Sequence, residues 1–249
     1  PRALAVELAD DLDVVLREAL DDQVDALALP EPAVVVLIPD RLMTERDQPA
    51  KTLDGFRIQL LANIGVAADL ERAVQNGAEG IGLYRTEFPF IIREDFPAQE
   101  EQIRIYRKAF EYFPNGPVHF RLLDLGGDKF LARGELDPDR NPFRGYRSIS
   151  VLLENPAILR DQVQAFIKAA GPKRIGILIP MVSSLSELRS ALQHIRGAID
   201  DLGDGPENRD VHRQPSIGAM IEVPGAVEIA NELAREVDFF SIWSNALIQ

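Results

Sequence analysis

From Arg57 onward the chain alternates short apolar runs with longer amphipathic stretches, the pattern of βα units laid around a parallel sheet. The runs Arg57–Ala62, Gly80–Arg85, Val118–Asp124, Arg174–Ile179, Ile217–Glu222 and Asp238–Ile242 read as six strands. Helix punctuation fills the intervals. Pro97 opens a segment in which Ile103, Tyr106, Phe110 and Phe113 share one face, and Pro114 closes it. Asn155 and Pro156 suit an N-cap and a first helical residue, with Phe166 and Ile167 on the buried side and Gly171 as the stop. Ser184 and Glu187 form a capping-box pattern ahead of Leu188, Leu192, Ile195, Ile199 and Leu202. The polar tract from Asp200 to Gln214 reads as a surface loop.

Residues 1–50 differ in character. Leu4, Leu8, Leu12 and Leu16 follow a spacing that suits a helix, Val34 to Ile38 suits a strand, and Pro39 to Lys51 is a charged linker. The expected division is an N-terminal helical and linker appendage over 1–50 and a (βα) barrel, incomplete after about six strands, over 51–249.

Composition narrows the function classes. Of 249 residues, 27 are Lys or Arg and 40 are Asp or Glu, a formal charge of −13 that disfavours nucleic acid and anionic membrane surfaces as partners. The longest apolar run, Ala33 to Ile38, is far shorter than the ~18 residues of a membrane helix, so no membrane insertion is expected. The absence of Cys removes disulfides, thiolate nucleophiles and Cys-based zinc sites, and a cytoplasmic location is expected.

In a βα barrel, reactive side chains sit where strands end at the C-terminal face. The second strand ends in Tyr84-Arg85-Thr86-Glu87, the third carries Arg121 and runs through Asp124 into Gly126-Gly127-Asp128-Lys129, and the fifth ends in Glu222-Val223-Pro224. Guanidinium forks bind phosphate or carboxylate in pairs, a glycine turn lets amides approach a phosphate, and a carboxylate can hold Mg²⁺. Plainer readings stand beside this one: Arg85 with Glu87 as a structural ion pair, Gly126-Gly127-Asp128 as an ordinary turn, Glu222 as a solvated strand end. Strand alternation puts His119 and Arg121 on the inner face and Phe120 and Leu122 on the outer. A buried Arg121 then needs an anion, or a carboxylate such as Asp124 or Glu87. His119 reads as a hydrogen-bonded interior histidine rather than a catalyst, and His194 and His212 have no evident metal-ligand partner.

The stretch Gly77-Ala78-Glu79-Gly80-Ile81-Gly82-Leu83-Tyr84-Arg85-Thr86-Glu87-Phe88 resembles the GAEGIGLxRTEF signature of the phosphoenolpyruvate-utilising enzymes. Arg121 to Lys129, Asn141 to Arg147, Pro180-Met181-Val182 and Gly218 to Pro224 resemble the succeeding motifs in order. The likeness is strongest to the C-terminal barrels of phosphoenolpyruvate-dependent protein phosphotransferases, enzyme I of the sugar phosphotransferase system and its nitrogen-related paralogue. It implies a TIM-type (βα)₈ barrel that binds phosphoenolpyruvate and Mg²⁺ and passes the phosphoryl group to a histidine on a separate domain, and thence to a downstream phosphocarrier protein. It further implies that Arg85, Arg121 and Arg147 contact substrate phosphate and carboxylate, that Lys129 and Asn245 add substrate contacts, that Glu222 is a metal ligand, and that the barrel forms a homodimer. No catalytic residue is assigned.

The chain departs from the family pattern where Gly-Thr/Ser-Asn-Asp-Leu is expected and Trp243-Ser244-Asn245-Ala246-Leu247 stands. Ala246 removes the second metal carboxylate, and Trp243 puts an indole where glycine allows close approach. The family's last two strands and its histidine-bearing domain find no counterpart here, and the edges at the first and sixth strands are expected to be unpaired. The alternative to a phosphotransferase barrel is a degenerate, non-catalytic barrel serving as a dimerisation or regulatory module; an enolate-handling lyase barrel is a third reading.

Overall fold

Period-two alternation, interrupted by a register irregularity between Ile81 and Tyr84, sorts the strand side chains into two layers. Ile81, Tyr84, Val118, Phe120, Ile177, Ile179, Ile217, Ala219 and Ile221 pack beneath the helices, whereas Leu83, Leu178 and Met220 form a separate inner cluster with Phe239 and Trp243 against it. The computed structural model describes residues 5–6, 46, 48–92, 96–125, 148–203, 205, 208, 211–212, 214–244 and 247. They divide into two units, one comprising Pro1–Glu7 and Leu61–Gln249 and the other Leu8–Leu60.

The larger unit is a curled, all-parallel sheet of β1 (Ala5–Val6), β2 (Ala62–Ile64), β3 (Ile81–Tyr84), β4 (Val118–Arg121), β5 (Gly176–Ile179), β6 (Ser216–Ile221) and β7 (Phe239–Ile242). The spatial order is β1-β7-β6-β5-β4-β3-β2. Thus β2 to β7 stand in chain order, the arrangement of a TIM-type half-barrel. The crossovers are α1 (Asp69–Gln75), α2 (Phe88–Ile91), α3 (Gln99–Tyr112), α4 (Ile149–Glu154), α5 (Pro156–Ala170), α6 (Leu185–Asp200), α7 (Pro224–Glu228) and α8 (Ala230–Leu233). Helix α3 packs on α5 and α5 on α6. Between α3, α5 and the sheet, Phe120 stacks on Phe166 at 4.7 Å and Tyr106 lies 4.9 Å from the same ring.

Several sequence expectations shift. The first barrel strand is Ala62–Ile64 rather than Arg57–Ala62, because Ile58 and Leu60 are exposed while Ile64 is fully buried and pairs with Tyr84. Strand β4 stops at Arg121, short of Asp124. There the Leu123 amide leaves the ladder and donates to the Gln162 side chain at 2.8 Å. The edge of the last barrel strand, expected to be bare, is paired over two residues: Ala5 lies against Ser241 and Val6 against Ile242. Asn155 precedes Pro156 as expected, but its amide donates back to the Val151 carbonyl at 2.9 Å instead of capping α5. Gly171 ends α5 with φ +59°.

The capping box at α6 forms with a variation. Ser184 Oγ accepts from the Glu187 amide at 3.3 Å, while the Glu187 carboxylate accepts from the amide and hydroxyl of Ser183. In the smaller unit the Thr52 and Gly55 amides close a turn, with Lys51 bridged to Arg57. The helix expected around Leu4 to Leu16, the strand at Val34 to Ile38, most of the Pro39 to Lys51 linker and much of the Asp200 to Gln214 loop lie outside the described residues.

Candidate anion site at the barrel mouth

Arg85 and Arg121 emerge at the ends of β3 and β4, and their guanidinium carbons lie 5.2 and 5.7 Å from the centroid of one indole, that of Trp243 just beyond β7. Both cations therefore face one end of the sheet. Leu83 on β3, Leu178 on β5 and Met220 on β6 are fully buried, and Trp243 packs against them.

The two arginines differ in their partners. Arg121 is 5% exposed; its Nη2 donates to Glu87 Oε1 at 3.0 Å and its Nη1 lies 3.2 Å from Asp124 Oδ2. Both carboxylates named from the sequence thus compensate its charge. The Arg85–Glu87 pair considered from sequence does not form, because Glu87 turns inward to Arg121 and to the Asp124 amide. Arg85 has no carboxylate partner among the described residues, and its buried Nε has no hydrogen-bond acceptor there. A half-buried guanidinium whose partner among the described residues is an aromatic face can still take up an anion. Burial pushes the Glu87 carboxyl above the usual carboxylate range, and the Arg121 guanidinium pulls it back.

A second set of bonds fixes the strand ends. Thr86 Oγ1 donates to the Arg121 carbonyl at 3.0 Å, and Gln162 Nε2 donates to Thr86 Oγ1 at 3.1 Å. With its Oε1 on the Leu123 amide, the fully buried Gln162 ties α5 to the ends of β3 and β4. Sequence reasoning passed over Gln162, although a glutamine between Leu159, Val163 and Phe166 on a buried helix face is a visible signal.

Glu222, read as a possible solvated strand end, is 7% exposed and accepts from the Met181 amide at 2.7 Å. Met181 has φ +54°, so this bond holds a backbone turn that non-glycine residues seldom adopt. The described residues offer Mg²⁺ one of the two carboxylates that the family resemblance implies. One Glu222 oxygen accepts from Met181, and position 246, where the resemblance implies the second carboxylate, is alanine.

His119 points inward, its Nδ1 donating to the Ile81 carbonyl at 3.0 Å and its ring 5.1 Å from that of Phe239. Burial lowers its pKa, the bond to Ile81 acting the other way. Lys129, Arg147 and Asn245, with Gly126-Gly127-Asp128, lie outside the described residues. No helix among the described residues is long and apolar enough to cross a membrane.

A parallel half-barrel with strand-end side chains gathered at one mouth is the TIM-type architecture, whose sites lie at that face. The family described as "PEP-utilising enzyme, PEP-binding domain" matches residues 39–249, and the chain belongs to it. Phosphoenolpyruvate-protein phosphotransferase of Staphylococcus carnosus (strain TM300) is 41% identical over 204 residues, 82% of this chain and 35% of that protein. The protein of the same name from Haemophilus influenzae is 40% identical over the same shares. The chain thus spans about a third of the length of these curated relatives.

Proposed function

We propose that the mouth formed by Arg85 and Arg121 binds phosphoenolpyruvate as part of a phosphoenolpyruvate-protein phosphotransferase, with Lys129, Arg147 and Asn245 as further contacts. The observation that carries this reading is Arg85, a half-buried guanidinium with no carboxylate partner among the described residues, at the mouth of a barrel of this family. Phosphoryl transfer depends on positioning and charge neutralisation more than on covalent chemistry from the protein. Arg85 neutralises substrate oxyanion directly. Arg121, held in place by Glu87 and Asp124, presents a fixed positive edge beside it. The bond between phosphorus and the enol oxygen breaks, a phosphorus–nitrogen bond forms on a histidine of a separate domain, and the pyruvate enolate takes up a proton. The phosphocarrier recipient, homodimerisation and a cytoplasmic setting belong to the same proposal. Mg²⁺, the cofactor of the family resemblance, would be held by Glu222 together with the substrate's own oxygens and would supply charge neutralisation, with Ala246 in place of the second carboxylate.

Titration calorimetry with phosphoenolpyruvate at low salt tests the reading, with Arg85→Gln as the comparison. Binding that falls at least tenfold in the variant is expected, and equal binding, or none in either chain, rejects it. A second reading, a degenerate barrel kept as a dimerisation or regulatory module, is favoured by one observation: a single indole covers both guanidinium groups.

A further inference from the structure

We infer that Trp243 determines what the barrel mouth accepts, competing as an internal plug with any oxyanion for the faces of Arg85 and Arg121. This rests on the anion-site reading and goes beyond it. The indole lies 5.2 Å from one guanidinium carbon and 5.7 Å from the other, so it touches both cations that a bound oxyanion would touch. It packs against the apolar cluster of Leu83, Leu178 and Met220, all fully buried, so a ligand at this mouth meets the ring and the two arginines. Its backbone amide is fixed by a bond to the Ile221 carbonyl at 3.0 Å, so the ring leaves the arginines by rotating its side chain rather than by unpeeling β7.

The two contacts are exclusive in character. An arginine stacked on an aromatic face holds its charge without forming an ion pair, and Arg85 has no other partner among the described residues. A multiply charged oxyanion approaching the pair offers both guanidinium groups hydrogen bonds that an indole face cannot supply. The ring therefore discriminates by charge: singly charged ions leave it seated, and phosphate-bearing ligands displace it. The enol phosphate also needs room for its three-carbon body, so removing the ring favours phosphoenolpyruvate more than inorganic phosphate.

Trp243 is the single tryptophan of the chain, so its own fluorescence reports its place. The full chain and Trp243→Gly are titrated with phosphoenolpyruvate and with inorganic phosphate, using calorimetry for both chains and Trp emission with acrylamide quenching for the first. Chloride at matched ionic strength is the control. We expect Trp243→Gly to bind phosphoenolpyruvate at least tenfold more tightly, with a smaller gain for inorganic phosphate. In the unsubstituted chain, either ligand should shift emission to the red and raise quenching, while chloride does neither. Equal affinity in the two chains, or ligand binding that leaves emission and quenching unchanged, overturns the plug and leaves the anion site standing. No binding in either chain overturns the anion site and the plug together. Should Trp243→Gly lose its cooperative thermal transition, the emission and quenching of the unsubstituted chain decide the matter.

Discussion

Glu87 Oε1 receives both Arg121 Nη2, at 3.0 Å, and the amide of Asp124, at 3.1 Å, in a setting where Glu87 is 9% and Arg121 5% exposed. One carboxylate oxygen thereby fixes the direction of a guanidinium and the path of the loop leaving β4. The Asp124 side chain closes the loop by pairing with the same guanidinium. The charge at this mouth is built from a locked arginine and a looser one, Arg85, whose neighbour is an indole.

Truncating Glu87 should be severe, because it leaves Arg121 with half its compensation and the Asp124 amide unpaired. Glu87→Ala is expected to lower unfolding stability by about 3–5 kcal/mol. Glu87→Gln retains an acceptor at Oε1 and should cost less. Chemical denaturation of the two variants checks this, and equal losses would show that the charge, not the acceptor geometry, is what Arg121 requires.

Much of this could be read from residue order, and the misses share a cause. The parallel sheet and the inward turn of His119 and Arg121 follow from period-two alternation, which the backbone enforces. So do the buried faces of α3 and α6 from their own period. What escaped depends on pairing across the fold. Nothing local decides between Arg85 and Arg121 as the partner of Glu87, or says that Gln162 joins two strand ends or that Ala5–Val6 lines up along β7. The first barrel strand was misplaced because Ile58 and Leu60 imitate a buried alternation while lying exposed. Trp243 stands out as a departure from a glycine position, but its contact with both arginines is a tertiary arrangement that no local pattern specifies.

Gln162→Leu keeps the volume and removes both of the bonds that join α5 to the strand ends. The Leu123 amide and the Thr86 hydroxyl are then buried without the partner they have now, an expected loss of about 1–3 kcal/mol for each group left unsatisfied. Because Thr86 also holds the Arg121 carbonyl, anion binding should weaken along with stability. Denaturation and calorimetry on one preparation test the pair of effects. A variant as stable as the parent would show that water or rotation of Thr86 replaces the glutamine.

Two glycines make room for the rings lower in the barrel. A Cβ on Gly176 would run into the His119 imidazole, and one on Gly218 would lie 2.6 Å from the Phe239 ring. Gly176→Ala should therefore destabilise by about 1–3 kcal/mol through overpacking. Adding His119→Asn, which shortens the ring to an amide, should recover part of the loss. Additive effects in that double-mutant cycle would mean that the two residues do not compete for the space.

His119 also makes stability depend on pH. Its folded-state pKa lies below the ordinary 6.5, chiefly because burial disfavours the imidazolium. Below that ordinary value the unfolded chain binds a proton that the folded chain refuses, so stability falls as pH drops from about 6.5 towards the lowered pKa and is fully present above that window. Glu87 acts in the opposite sense. Its folded pKa is raised, so the folded chain holds a proton more readily, and its cost is relieved as the solution becomes acidic. The loss at His119 and the relief at Glu87 therefore oppose each other on acidification, and a variant lacking the imidazole isolates the histidine's share. His119→Asn keeps a donor for the Ile81 carbonyl and removes the titration, so its thermal midpoint should fall less than the parent's between about pH 7.5 and about pH 5.5. Parallel midpoint curves for the two proteins would assign the pH dependence to other groups and refute this account of the buried histidine.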